Sequence, residues 1–205
     1  MVNKRTINTQ KLICIDLVKI YRKNIEDYSI IGYPLIYNKD IVLLNYAYDI
    51  MLDGYKLIKT NDITNIEQNS ENVKFLSNIY RSENITPVFP QGFENVETLR
   101  DVIKILKEKE TVCIIENETK EDSFGIGRVT SLSNDVVSLL GFDSKCIVDD
   151  GVTAFRIPDI TTVSFGGRYT EIMGKYVDWG HKKQKQIGEN TTEPSPCVTE
   201  PSPCV

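Results

Sequence analysis

Histidine is all but missing from this sequence. One residue in 205, His181, carries an imidazole, and it stands in the polar run Gly180-His181-Lys182-Lys183. No Ser/His/Asp or Cys/His set can be built from the apolar-patterned part of the chain. Cysteine is sparse, and Cys14, Cys113 and Cys146 sit singly in apolar strand patterns without Cys-x-x-Cys spacing. That usage reads as reduced core thiols in a cytosolic protein. No apolar run approaches the ~18 residues of a membrane span. Met1-Val2-Asn3-Lys4-Arg5 leads into polar residues, not into an apolar signal core. A basic excess is absent too: net charge is −5, so the field with which a general nucleic-acid coat gathers phosphates is missing. Gly125-Ile126-Gly127 lacks the Lys-Ser/Thr of a P-loop. The acidic pairs Glu121-Asp122 and Asp149-Asp150 lack the alternating oxygen spacing of a calcium loop. These absences lead to the expectation of a chain that is not an enzyme and takes no metal or cofactor.

What is present is written twice. Leu17 to Leu44 overlays Val112 to Leu139 without a gap, Asp40 falling on Asp135 (135 − 40 = 95). Glu26-Asp27 meets Glu121-Asp122, and Gly32 meets Gly127. Two extra residues then shift the frame to 97, where Asp53-Gly54 meets Asp150-Gly151 and Asp62-Ile63-Thr64 meets Asp159-Ile160-Thr161. A duplication sets the architecture before propensity is considered. Short β-branched runs recur in each copy. The first has Ile13 to Tyr21, Ile30 to Tyr37, Ile41 to Tyr48, Tyr55 to Lys59 and Ile63 to Ile66. In the second they are Val112 to Ile115, Gly125 to Leu132, Val136 to Phe142, Val152 to Ile157 and Ile160 to Phe165. Five such strands in so short a span predict a small barrel. Asp149-Asp150-Gly151 reads as a hairpin turn.

Four segments follow: a first barrel over 11–80, a Pro- and Gly-bearing linker over 81–94, a helix plus second barrel over 95–177, and a disordered tail over 178–205. Val96, Leu99, Val102, Ile103 and Leu106 mark one face of a helix of about 14 residues, with Asn95 as its cap. In the tail, Thr-Glu-Pro-Ser-Pro-Cys-Val is written twice, and proline at alternate positions forbids helix and ladder alike. The wealth of Ile, Asn and Lys points to an AT-rich bacterial or phage genome.

A helix followed by five short strands with an early glycine in the second resembles the Sm-like small barrel, an SH3-like fold. Gly127, Val129, Leu132 and Val136 match the apolar frame of the first Sm motif, as do Gly32, Tyr37 and Ile41. Arg156 stands four residues before Ile160, and Lys59 four before Ile63, as the second motif places its arginine. Uncharacterised bacterial Sm-like proteins are similar over Tyr33-to-Ile66 and Arg128-to-Val163. The Asp and Asn with which the Sm family builds its RNA pocket fall here on Ser133 and Val137, and on Asn38 and Val42. A valine offers no hydrogen bond to a base edge.

The resemblance implies two tandem barrels that join neighbours through edge strands. Function is then expected from protein–protein contact or self-association at those edges, in a non-catalytic adaptor of inhibitor or immunity type. The alternative is an RNA-binding Sm-like protein with a degenerate pocket. Candidate contacts are Lys59 and Arg156, which an alternating strand equally places on a solvated face. Arg168 and Tyr169 follow Gly166-Gly167, either as a clamp for single strands or as a turn entering a strand. Tyr46 and Tyr48 share one strand face, as a partner surface or as cross-strand packing.

Overall fold

The computed structural model describes residues 16–179. Cys14, the start of the expected first strand at Ile13, His181 and the duplicated heptad lie outside those residues. Over the described residues the fold is mainly β: ten antiparallel strands in one open sheet, with three helices. Strands β1 (Val18–Tyr21), β2 (Ser29–Tyr37), β3 (Ile41–Tyr48), β4 (Met51–Lys59) and β5 (Asn65–Glu67) are followed by α1 (Glu71–Ser82). After a stretch without regular structure come α2 (Leu99–Glu108), β6 (Val112–Glu116), β7 (Phe124–Leu132), β8 (Val136–Phe142), β9 (Val148–Arg156), β10 (Thr162–Phe165) and α3 (Arg168–Tyr176).

Order across the sheet is β5-β1-β2-β3-β4-β10-β6-β7-β8-β9. Each half therefore arranges its own strands as fifth, first, second, third, fourth. The sequence frame holds down to the defects. Val18 pairs with Gly32 as Cys113 pairs with Gly127. Bulges between Pro34 and Ile36 and between Asn45 and Ala47 recur 95 residues on, between Val129 and Ser131 and between Leu140 and Phe142. Bulges bend and twist strands, so both halves coil at the same places. Gly32 and Gly127 lie where a Cβ would sit 2.7 Å from the Asn45 carbonyl oxygen and 2.0 Å from that of Leu140. That crowding accounts for the repeated glycine.

The halves are not packed as separate bodies. The largest buried cluster draws Ile36, Ile41, Leu43 and Leu57 from the first half, Cys113, Ile115, Val129, Val137 and Leu139 from the second, and Val102, Ile103 and Leu106 from α2. Val18, Ile20, Ile30, Val42, Leu44 and Ile58 form a smaller core within the first half. The Cys113 thiol is fully buried, and its surroundings push its pKa up to about 12, which keeps it an inert apolar side chain.

Five local expectations are corrected. The sequence between Glu71 and Ser82 forms a helix, α1, whose Val73, Leu76 and Tyr80 pack on Leu17, Tyr33 and Ala47. The 97-residue frame carries this helix onto α3 (168 − 71 = 97), so each half ends in one. Tyr169 accordingly lies on α3 and not on a strand. The inter-half helix α2 is ten residues long and is capped by Thr98, not by Asn95. Thr98 and Asp101 exchange bonds as a capping box, and these bonds hold the Asp101 carboxyl below its ordinary pKa although burial opposes them. Finally, Asp149-Asp150-Gly151 lies inside β9. The turn falls earlier, where the Asp143 carboxylate accepts bonds from the Lys145 and Ile147 amides and Cys146 takes φ 62°. Trp179, which the sequence reading assigned to the tail, packs edge-on against Phe142 at 5.8 Å, with the Arg128 guanidinium over its ring.

Candidate functional site

The two halves meet where β4 pairs antiparallel with β10, Tyr55 opposite Phe165 and Ile58 opposite Thr162. Apolar contact seals this joint: the Tyr55 and Phe165 rings stack at 5.1 Å, and Phe93 stacks on the other side of Phe165 at 5.0 Å. At one end lies a buried ionic lock. Arg22, just past β1, has a side chain with no exposed surface. Its two terminal nitrogens donate to the Glu118 carboxylate at 2.8 and 2.9 Å, a bidentate pairing across the halves, and Nε donates to Glu26 at 3.1 Å. Thr161 adds its hydroxyl to Glu118 at 2.7 Å. Burial works against both charges, but the mutual bonds and charges win. They hold the Arg22 pKa above and the Glu118 pKa below the ordinary values.

At the other end of the joint α3 begins. The Arg168 backbone amide donates to the Asp53 carboxylate at 2.5 Å, capping the helix with a side chain from the other half. Gly54, at φ 71°, passes so close that a Cβ would lie 2.3 Å from the Gly167 nitrogen. Only glycine satisfies both conditions.

The sequence-derived candidates distribute around this joint. Lys59 Nζ donates to the Pro158 carbonyl. Arg156 lies 3.9 Å from Asp159, and Lys120 lies 3.4 Å from the same carboxylate. Lys59 and Arg156 are thus brought together at the 3-10 turn Ile157–Asp159, with Lys120 added. A cleft of about 180 Å³ opens there, lined by Asn117, Lys120, Ser123, Phe155, Arg156 and Asp159. Arg168 and Tyr169 lie beyond the other end of β10, outside this group. Tyr46 and Tyr48 share a face of β3 with rings 6.3 Å apart, Tyr46 half-buried under Lys56 and Tyr48 exposed. Val42 and Val137 are fully buried. The Asn38 side-chain oxygen Oδ1 accepts the Asp40 and Ile41 backbone amides and its Nδ2 donates to the Glu97 carbonyl, so its side-chain polar atoms are used within the fold.

Among the described residues two strands have a neighbour on one side only: β5 pairs with β1 and β9 with β8. Along β9 the chain exposes Val152, and Ile147 and Phe124 are exposed near its ends. An unpaired strand edge with apolar residues on show is a template for another strand. Among the described residues no group of three His, Cys, Asp or Glu side chains could hold a metal ion, and no helix is long and apolar enough to cross a membrane.

Sequence reasoning missed Arg22, Glu26, Glu118 and Thr161 as a group. The repeat hid them, since Arg22 overlays Asn117 and Glu118 overlays Lys23. Asp53-Gly54 was visible as a repeated dipeptide, but its role at a helix N-terminus needed α3. No family model matches this chain, and no curated protein or solved structure matches it.

Proposed function

We propose that this chain is a non-catalytic binding protein, built from two copies of an Sm-like five-stranded unit, that acts through protein–protein contact at its open sheet edges. The strand order shared by both halves supports the unit reading. The observation that carries the function is the β4–β10 joint: the chain already fills one edge by adding a strand from a neighbouring unit, while the equivalent edge, β9, has no partner strand among the described residues. Main-chain bonds supply affinity in such strand addition, and alternate side chains supply choice. Placing photoreactive benzoylphenylalanine at Val152 and irradiating the protein, alone and in cell extract, tests the reading. Adducts of defined mass are expected from position 152 and not from Lys104 on the outer face of α2. No adduct from 152 above the Lys104 level would contradict it.

A second reading, single-stranded RNA held at the cleft, draws on the grouping of Lys59, Lys120 and Arg156 at one turn. It is weaker, because Asp159 and the Pro158 carbonyl already engage these cations. It predicts binding of labelled RNA that falls steeply between about 50 and 200 mM salt and is lost on Arg156→Ala. The edge reading predicts flat titrations at both salts.

A further inference from the structure

We infer that the joint between the halves carries a site for the guanidinium of an arginine on a protein partner, formed by Glu26 and Glu116 and flanked by the rings of Tyr28 and Phe124. The site lies at the Arg22 lock and not at the β9 edge, so it stands independently of the edge reading above. It begins with a shortage of donors. A guanidinium has five N–H groups, and Arg22 uses all of them inside the fold. Nε and one terminal nitrogen donate to Glu26 Oε1, both terminal nitrogens donate to Glu118, and the last N–H reaches the Thr161 carbonyl at 3.5 Å. Glu26 Oε2 is left over. The Glu26 side chain is 5% exposed, and this oxygen is buried with no hydrogen-bond partner among the described residues. A buried carboxylate oxygen without a donor is destabilising until something supplies one.

The surroundings of Glu26 are short of cations and rich in aromatic surface. Glu116, on β6, accepts the Thr162 hydroxyl at 2.7 Å, and no cation bonds to it among the described residues. The lysines of the two flanking loops are engaged elsewhere. Lys23 lies over the Tyr21 ring at 6.0 Å, and Lys120 lies 3.4 Å from Asp159. Lys56, held over the Tyr46 ring, adds its charge at Glu118 through space. Tyr28 opens the site from the first half, with its side chain 66% exposed. Its hydroxyl pKa is raised by Glu26 as a polar neighbour, then by burial and by the charges of Glu26, Glu118 and Glu116, so the hydroxyl stands among all three carboxylates. It does not come within bonding distance of Glu26 Oε2. Phe124 opens the site from the second half. It is 52% exposed and pairs with Glu116 across β6 and β7, which puts both side chains on one face of the sheet.

Arginine fits these groups better than lysine does. Its planar fork gives one donor to Glu26 Oε2 and keeps others for the Glu116 carboxylate, whereas an ammonium is a compact, strongly hydrated point charge. A guanidinium is more weakly hydrated, and its face stacks on aromatic rings while its edge bonds to carboxylates. Because Glu26 Oε2 has no exposed surface, the guanidinium reaches it as Tyr28 turns outward, and the ring then covers the bound group. Asp27, Glu121 and Asp122 stand exposed on the same two loops, and the whole chain carries a net charge of −5. That field draws in a basic segment of a partner, while the bond at Glu26 selects arginine within it.

Amide chemical-shift titration of the isotope-labelled full chain tests this, with short Gly-Ser peptides carrying arginine, lysine or citrulline at one position. The arginine peptide is expected to shift the Tyr28 and Phe124 amides saturably, at roughly tenfold lower concentration than the lysine peptide. Citrulline has the shape of arginine without the charge and is expected to leave both amides unmoved. Tyr28→Ala is expected to weaken arginine binding roughly tenfold at an unchanged melting temperature, since most of that ring is exposed. Glu116→Gln is expected to weaken it in the same direction. Tyr176→Ala, at an exposed tyrosine of α3, is expected to leave it unchanged. No saturable shift at Tyr28 and Phe124, equal affinity for the arginine and lysine peptides, or wild-type affinity in Tyr28→Ala overturns the inference. The edge reading is judged at position 152 and survives each of those outcomes.

Discussion

Arg22 is the residue on which the two halves depend most. Its guanidinium is fully buried between two carboxylates, and it reaches Glu118, 96 residues away in sequence, with two bonds. Replacing both members of such a pair with apolar groups can be neutral, but removing one leaves a buried charge without its partner. Arg22→Met is therefore expected to destabilise the fold by about 3–5 kcal/mol, measured by urea unfolding at neutral pH. The same contact has a pH signature. The Glu118 pKa is lowered in the folded chain, so its contribution is complete above the unfolded glutamate value of about 4.3 and is lost as pH falls through the lower folded value. Asp62 has the opposite sign: burial raises its pKa, so its share of stability grows on acidification. The wild type is expected to lose stability below about pH 4.3, and Arg22→Met to lose less over the same range. Equal acid sensitivity in the two proteins would mean that the lock contributes nothing.

Among the elements, α2 is the part that neither repeat unit contains, and its Val102, Ile103 and Leu106 stand in the core common to both halves. The Thr98–Asp101 box fixes where it starts. Thr98→Ala is expected to cost about 1 kcal/mol, read by thermal unfolding. Most strands were legible in the sequence because burial on one face writes alternation, and because the pattern is written twice. The helices were less legible. The α1 stretch has only Val73, Leu76 and Tyr80 buried, a stripe too thin to stand out beside the strands that precede it. In α3 only Thr170 is buried, and the Gly166-Gly167 pair reads as a turn whether a strand or a helix follows. The joint was illegible for another reason: Arg22 and Glu118, which bond across it, are positions where the copies differ, so the repeat that revealed the fold concealed that pair. Asp149-Asp150-Gly151 pointed to a hairpin, whereas its counterpart Asp53-Gly54 serves a helix from the other half.

At the scale of the whole molecule, one edge is filled and its equivalent is left open. Ten strands give the sheet two ends, β5 and β9, and the chain itself shows how such ends are joined at β4 and β10. Amide hydrogen exchange on the full chain, followed by mass spectrometry, tests this asymmetry most directly. β4 and β10 are expected to exchange slowly, each being paired on both sides, while β9, paired on one side, is expected to exchange faster. Protection of β9 equal to that of β4, or exchange of β4 and β10 as fast as that of β9, would contradict the account.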